Sequence, residues 1–226
     1  MSKLRVARAV VVVLALVACA ATWSTGHPRW ALSAAQPEQA QAHPLVHLVV
    51  WGSSHFAVVP RITEMLGPDA ASYWGTLAQY GVHAPRLVGP TISFARPPTS
   101  LTQILSWVHH QAGAHPNHDV QYLVMANGPA WDKGTMPGMV GMWGRHLWDS
   151  GVAVDVVVAD AVMAAAHEIA EAATDPIAGA GWIGPGGQEV ADRCETDVGG
   201  LIGVGHSALV VPVPALWSQR LGRCVG

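Results

Sequence analysis

Short apolar runs alternate with segments of helical periodicity along the chain from residue 45 onward. The runs at 45–51, 120–125 and 152–158 are rich in β-branched residues and predict buried strands. Apolar residues recur at helical spacing within 56–66 and within 100–108. Strands that alternate with helices predict an α/β fold, a single domain in which helices pack against a mixed β-sheet.

Weaker patterns fill the remainder of this region. A second helix is predicted to begin at Asp69 and to end before Gly81, and residues 86–94 predict a strand interrupted by a Gly-Pro pair. Residues 127–150 are rich in Gly, Pro, Met and Trp and predict a long loop, of the kind that often shapes a site. Residues 177–215, dominated by Gly and Pro, predict loops and short strands.

The alanine-rich segment 159–174 predicts a helix with unusual polar residues. His167, Glu171 and Asp175 recur at every fourth position, and Glu168 lies beside them, so all four crowd toward one stripe. Three acids so close together repel one another unless a cation or solvent relieves them. The pattern H-E-x-x-E is nearly the H-E-x-x-H of zinc peptidases, and it predicts a zincin-like metal-site helix.

Zinc is the predicted cofactor, with calcium as the alternative. In the zinc interpretation His167 and Glu171 are ligands one helical turn apart, and Glu168 is the general base. A third ligand is still needed. The candidates for it are His146, which precedes the strand leading into the helix, Asp175, Asp192 and Glu189.

Two structural alternatives stand beside the metal interpretation. The acidic stripe can be a solvated helix face whose terminal Asp175 accepts hydrogen bonds from turn amides, since the following proline disfavours helical geometry there. In the second acidic cluster, Asp192 and Glu195 can pair with Arg193 or Arg220 at the surface.

Other polar clusters carry weaker signals. The histidine-rich tract lies where a helix ends and a strand begins, so its members are predicted to be exposed turn residues: His109, His110, His115 and His118. His206 is predicted to be a loop residue. The glycine clusters at 184–187 and 199–205 are predicted turns, and the absence of a Gly-x-Ser-x-Gly elbow argues against a serine hydrolase.

The N-terminus is typical of an exported protein. Basic residues precede a short apolar run, so residues 1–21 are predicted to be a signal peptide. The run ends in Leu-Val-Ala-Cys, which resembles a lipobox with Cys19 as the lipidated residue; ordinary cleavage after Ala-Cys-Ala is the alternative. Residues 22–44 predict a flexible linker, and the folded domain is predicted to span 45–226.

The remaining cysteines support export. Without Cys19, Cys194 and Cys224 are left as a pair, which in an oxidising compartment predicts a disulfide stabilising the fold by roughly 3–4 kcal/mol. Two free buried thiols are the alternative. Charged residues make up 12% of the chain and the net charge is -3, which argues against a nucleic-acid partner.

Taken in order, several segments resemble the phosphate-induced, EXORDIUM-like proteins and their bacterial relatives. The most specific are HEIAEAATDP, the Gly181-Trp182 pair and EVADRCE; weaker ones are LVHLVVWGSS, QYLVMANGPAW and LWSQRLGRC. The resemblance covers most of 45–226 and implies an exported, cell-wall-associated protein. It points to particular residues: His146, His167, Glu168, Glu171, Asp175, Asp192 and Cys194. Trp143 stands where plant relatives often carry a cysteine, so a disulfide is excluded at that point.

Two functions follow from these patterns. The first is an exported zinc-dependent metallohydrolase of the peptidase kind, acting in the cell envelope. The second is a non-enzymatic envelope binding protein with a structural calcium or zinc site. The Trp-rich segment 127–150 suggests a peptide or a cell-wall glycan as the partner, and membrane contact is expected only through the signal peptide or a lipid anchor.

Overall fold

The structure, a computed structural model, describes most of the chain after residue 39. The described residues are 40–51, 57–93, 96–113, 116–126, 144–158, 162–195, 197, 199–203 and 209–226. They belong to one unit, Leu32–Gly226. The predicted signal peptide and most of the predicted linker lie outside the described residues, as do several residues singled out above: Cys19, His115, Trp143 and His206.

A five-stranded sheet forms the centre of the fold. Its strand order is β2-β1-β3-β5-β4; the first four of these are parallel, and β4 runs antiparallel at one edge. The strands are β1 (Leu45–Trp51), β2 (Arg86–Ser93), β3 (Val120–Ala126), β4 (Gly144–Asp149) and β5 (Val152–Val158). The predicted mixed sheet of an α/β fold is confirmed. Its central strands are almost wholly apolar because both faces are covered.

Four α-helices accompany the sheet in the described part of the chain. They are α1 (Val58–Met65), α2 (Ala71–Trp74), α3 (Leu101–Ala112) and α4 (Val162–Thr174). The Ser100 side chain caps α3 by accepting from the Gln103 amide. The helix predicted from Asp69 is broken into pieces, because α2 is flanked by the 3₁₀ helices Pro68–Ala70 and Gly75–Tyr80.

One element contradicts the sequence prediction. Residues 127–150 were expected to form a loop, but β4 occupies the last part of that segment and pairs with β5. The turn between these strands is Ser150-Gly151, both with positive φ (54° and 81°), as a two-residue hairpin requires. β4 lacks an apolar run because an edge strand has one neighbour and part of its surface faces a polar site.

Two apolar cores lie on opposite faces of the sheet. On one face, α1 and α4 pack over side chains such as Leu48, Leu123 and Val157. On the other face, α3 packs over side chains such as Val124 and Val154. α4 is buried on nearly every side because alanines let the sheet and the C-terminal segments approach closely.

The C-terminal region folds back over α4. It contains the 3₁₀ helix Asp192–Cys194 and two small antiparallel pairs, β6 (Leu201–Ile202) with β7 (Val211–Pro212) and β8 (Leu216–Ser218) with β9 (Arg223–Val225). The predicted disulfide is confirmed: Cys194 and Cys224 are joined with an S–S distance of 2.07 Å. The bond ties the acidic segment 189–195 to the chain terminus.

The folded structure includes residues just ahead of the predicted domain start. Ala40 and Gln41 are buried, and the Gln41 amide donates to the Ala173 carbonyl at 2.9 Å. The Gln41 side-chain nitrogen also donates to the His118 carbonyl. Within the described part of the chain, no helix combines the length and apolar character needed to cross a membrane.

Candidate metal centre

α4 carries the polar motif into the interior of the protein. Glu168, Glu171 and Asp175 are all buried. Removing a carboxylate from water costs roughly several kcal/mol. Only a well-placed counter-charge or a set of hydrogen bonds offsets that cost. A solvated acidic helix face is therefore wrong for these three carboxylates. What the site can do depends on the groups that contact them.

The carboxylate of Glu171 lies between two histidines. Its Oε1 is 3.0 Å from Nε2 of His167, and its Oε2 is 3.8 Å from Nδ1 of His146. Oε1 also accepts a hydrogen bond from the Asp192 amide at 3.0 Å. His167 shares α4 with Glu171, whereas His146 comes from the middle of β4 and Asp192 from the C-terminal region.

The first group of candidate ligands is His167, Glu171 and Asp192. Nε2 of His167 lies 3.3 Å from Oδ1 of Asp192, whose side chain is 51% exposed. Burial alone lowers the pKa of His167, but hydrogen bonds to Asp192 and Glu171 outweigh it and raise that pKa to about 11. The hydrogen bond to His167 in turn lowers the pKa of Asp192. This group opens toward solvent.

The second group is His146, Glu171 and Glu189. Nε2 of His146 lies 3.4 Å from Oε1 of Glu189, and Nδ1 lies 3.6 Å from Oε2 of Glu168. The His146 side chain is only 7% exposed, and its Nε2 makes no hydrogen bond to any described residue. A buried ring nitrogen that makes no hydrogen bond is uncommon in native structures and suits a ligand position.

The electrostatics of the second group follow from burial and like charge. Burial, followed by the charges of Glu171 and Asp175, raises the pKa of Glu189 to about 10. Burial also raises the pKa of Glu168, although the neighbouring His146 ring opposes it. For His146, burial lowers the pKa, but Glu168 and Glu171 outweigh it and the net pKa is raised. These raised pKa values mean that the side chains of the cluster retain protons, which a bound cation would displace.

Asp175 has a different environment from the other motif residues. Its carboxylate accepts backbone hydrogen bonds from Gly179 at 2.7 Å and Ala180 at 3.0 Å, and a third from Gly181. This is the arrangement of a helix-terminal aspartate bound to turn amides. Asp175 belongs to neither group of candidate ligands among the described residues.

Two residues beside the centre, Gly144 and Asp155, were not identified as site residues from the sequence. Gly144 lies against the Glu168 side chain, in space that any Cβ would fill. Asp155 is fully buried on β5 directly opposite His146, and burial, followed by the charges of Glu168 and Glu171, raises its pKa well above its usual value. A single aspartate inside the run VAVDVVV was the available signal for this residue.

The side-chain amide of Gln121 is placed to satisfy Asp155. With its nitrogen turned toward β5, that amide donates to Oδ2 of Asp155 over 3.1 Å. Gln121 is itself buried and lies beside Gln41, so a polar chain runs through the core beneath α4. None of these three residues belongs to a candidate ligand group in the part of the chain that the structure describes.

The second acidic cluster contributes Glu189 and Asp192 to the centre, whereas the other predicted polar residues that the structure describes lie outside it. Arg193 stacks its guanidinium over the Trp217 ring at 3.9 Å, while Asp192 turns to His167. His109 and His110 are exposed as predicted, but they lie in the last turn of α3 and not in the turn that follows it. Nδ1 of His109 lies 2.6 Å from the Ser150 hydroxyl. The two remaining cysteines lie near Asp197, but as a disulfide they have no thiolate to offer a metal.

The comparisons with known proteins add no relative to this picture. No family model, curated protein or solved structure matches the chain.

Proposed function

We propose that this chain is an exported zinc-dependent hydrolase of the peptidase kind. The observation that carries the proposal is the position of Glu171, whose two oxygens face His167 at 3.0 Å and His146 at 3.8 Å. The resemblance to the EXORDIUM-like family and the signal peptide, with Cys19 as a candidate lipidation site, remain parts of this proposal.

The donor set favours a transition metal over calcium. Calcium takes about six to eight oxygen ligands, and imidazole nitrogen is not one of its usual ligands. Zinc accepts imidazole nitrogen and carboxylate oxygen together, and ligands of one tetrahedral zinc lie about 3.3 Å apart. The contact between His167 and Asp192 at 3.3 Å matches that spacing. The buried Nε2 of His146, which makes no hydrogen bond to a described residue, is a further nitrogen donor.

The residues of the centre divide into holding and proton-moving groups. His167, Glu171 and Asp192 would hold the ion on the side that opens to solvent. When bound, zinc supplies Lewis acidity for the hydrolytic step. Glu168, whose pKa burial raises, is suited to accept a proton from water near neutral pH and to pass it on to a leaving group.

A structural metal site is the second candidate. Glu168 and Glu171 are buried and His146 is nearly so, which is the closure expected of a site that keeps no open position. In that case the chain is an envelope binding protein for a peptide or a cell-wall glycan. The exposed Asp192 favours the catalytic candidate.

Metal content and activity separate these candidates. The purified full chain is dialysed, its metals are quantified by elemental mass spectrometry, and hydrolysis of a peptide library is measured. We expect stoichiometric zinc, and we expect Glu168→Gln to keep the metal while lowering kcat by roughly 10²–10⁴-fold. Glu195→Gln, at an exposed position three residues after Asp192, is the matched control. Zinc without hydrolysis would leave the structural candidate, and calcium or no metal would overturn the proposal.

A further inference from the structure

The two candidate ligand groups are built alike and meet at one residue. Each contains a histidine, a second carboxylate and Glu171. The oxygens of Glu171 are divided between the groups, with Oε1 toward His167 and Oε2 toward His146. A carboxylate that turns one oxygen to each of two ligand groups has the geometry of a bridge between two ions.

We propose that the centre holds two divalent transition-metal ions bridged by the carboxylate of Glu171. One ion would bind His167 and Asp192, and the other would bind His146 and Glu189. This inference rests on the proposed function, because it assumes that the centre binds metal. The new element is the second ion, because a peptidase-like motif helix requires only one.

The distances in both groups are compatible with one ion each. The ligand atoms of one tetrahedral zinc lie about 3.3 Å apart. In the His167 group, Nε2 of His167 lies 3.0 Å from Oε1 of Glu171 and 3.3 Å from Oδ1 of Asp192. In the His146 group, Nε2 of His146 lies 3.4 Å from Oε1 of Glu189, and one donor atom from each of the three residues lies within 4.8 Å of the others. Ions in two-metal centres lie about 3.5–4 Å apart, a separation that one carboxylate spans by binding an ion through each oxygen.

Charge also favours two ions. The carboxylates in contact with the two histidines would together carry four negative charges when ionised: Glu168, Glu171, Glu189 and Asp192. One divalent ion would leave two of these charges to be compensated by protons in a largely buried space. Two divalent ions neutralise them and leave both histidines neutral, which is the form that binds metal.

His146 supplies an observation independent of the acidic cluster. Its side chain is 7% exposed, and its Nε2 faces Glu189 without forming a hydrogen bond. Its other nitrogen, Nδ1, lies 3.6 Å from Oε2 of Glu168 and 3.8 Å from Oε2 of Glu171, and a metal-bound histidine commonly turns its second nitrogen to a carboxylate. His146 is thus oriented as a ligand at the buried end of the centre, away from the exposed Asp192.

The test is the stoichiometry of the full chain after removal of its metals. The metal-free protein is titrated with Zn²⁺ alone, and bound zinc is counted after desalting. We expect two equivalents in the wild type, one in His146→Ala and one in His167→Ala. His110→Ala, at an exposed position outside the centre, should keep two.

The outcomes separate this inference from the proposed function. No bound zinc overturns both, whereas one equivalent in the wild type overturns the two-ion centre and leaves the hydrolase proposal standing. Two equivalents that survive in His146→Ala overturn the assignment of the second ion. If that variant does not fold, the wild type loaded with Mn²⁺ decides: exchange-coupled spectra by electron paramagnetic resonance support a bridged pair, and uncoupled spectra overturn it.

Discussion

The side chain of Glu168 occupies the space beside Gly144 that a larger residue would need. A Cβ at position 144 would lie 2.7 Å from the Glu168 carboxyl carbon. Because β4 places Gly144 and His146 two residues apart on the same face, the glycine makes room for the carboxylate that contacts the histidine. The glycine therefore determines whether Glu168 and His146 can lie together.

Replacing Gly144 with alanine should displace Glu168. We expect the free energy of unfolding to fall by about 1–3 kcal/mol, as for other insertions into packed interiors. Any hydrolytic activity should fall with it. Thermal and urea unfolding measure the first effect, with Gly75→Ala as control because a Cβ there meets no atom within 4 Å. Equal stability of the two variants would contradict the close packing of Gly144 on Glu168.

Asp175 should matter for stability and leave metal stoichiometry unchanged. Asp175→Asn replaces a charged acceptor of three backbone amides by a neutral one, and hydrogen bonds to charged groups contribute about 1.5–3 kcal/mol each. We expect a loss of about 2 kcal/mol in the free energy of unfolding. The exposed Asp197→Asn is the control. A folded Asp175→Asn protein that has lost zinc would show that Asp175 is a ligand after all.

The disulfide should stabilise both the fold and the centre. Replacing Cys194 and Cys224 together by serine should lower the free energy of unfolding by about 2–4 kcal/mol. Because the bond tethers Asp192, the variant should also bind zinc more weakly. Chemical unfolding and zinc competition with a chelator measure the two effects. Unchanged zinc affinity in the folded variant would mean that other contacts, such as Arg193 on Trp217, suffice to hold the segment.

The metal-free protein should lose stability as pH rises. Its native state raises the pKa of Glu189 to about 10 and that of His167 to about 11, above their ordinary values of about 4.5 and 6.5. The stability from these retained protons is fully present below the unfolded values and is lost as pH rises through the native ones. Unfolding with chelator present, from pH 6 to 9, measures this decline. Constant stability would contradict it.

Zinc affinity should change in the opposite direction over the same range. Binding must displace the protons on Glu189 and His167, so the affinity rises with pH and protons are released. Calorimetric titration in buffers of different ionisation enthalpy counts these protons. A binding enthalpy that does not depend on the buffer would contradict the protonated state of the metal-free centre.

Local patterns predicted much of this protein. Apolar runs predicted β1, β3 and β5, helical periodicity predicted α1 and α3, and the alanine-rich segment predicted α4, because burial of these elements restricts which residue types they contain. The motif spacing predicted that His167 and Glu171 share a face, and the cysteine count predicted the disulfide. These features depend on residues that are close together in the chain or on the number of cysteines, and both can be read from a sequence.

Only the tertiary structure decided how the centre is composed. β4 was missed because an edge strand that faces a polar site carries no apolar run. Its pairing with β5 places His146 opposite Asp155 and beneath α4, and the disulfide region brings Glu189 to the same point. The sequence determined which side chains were available as ligands. Which of them meet depends on strand register and on the path of the C-terminal region, and both are set by packing between segments far apart in the chain.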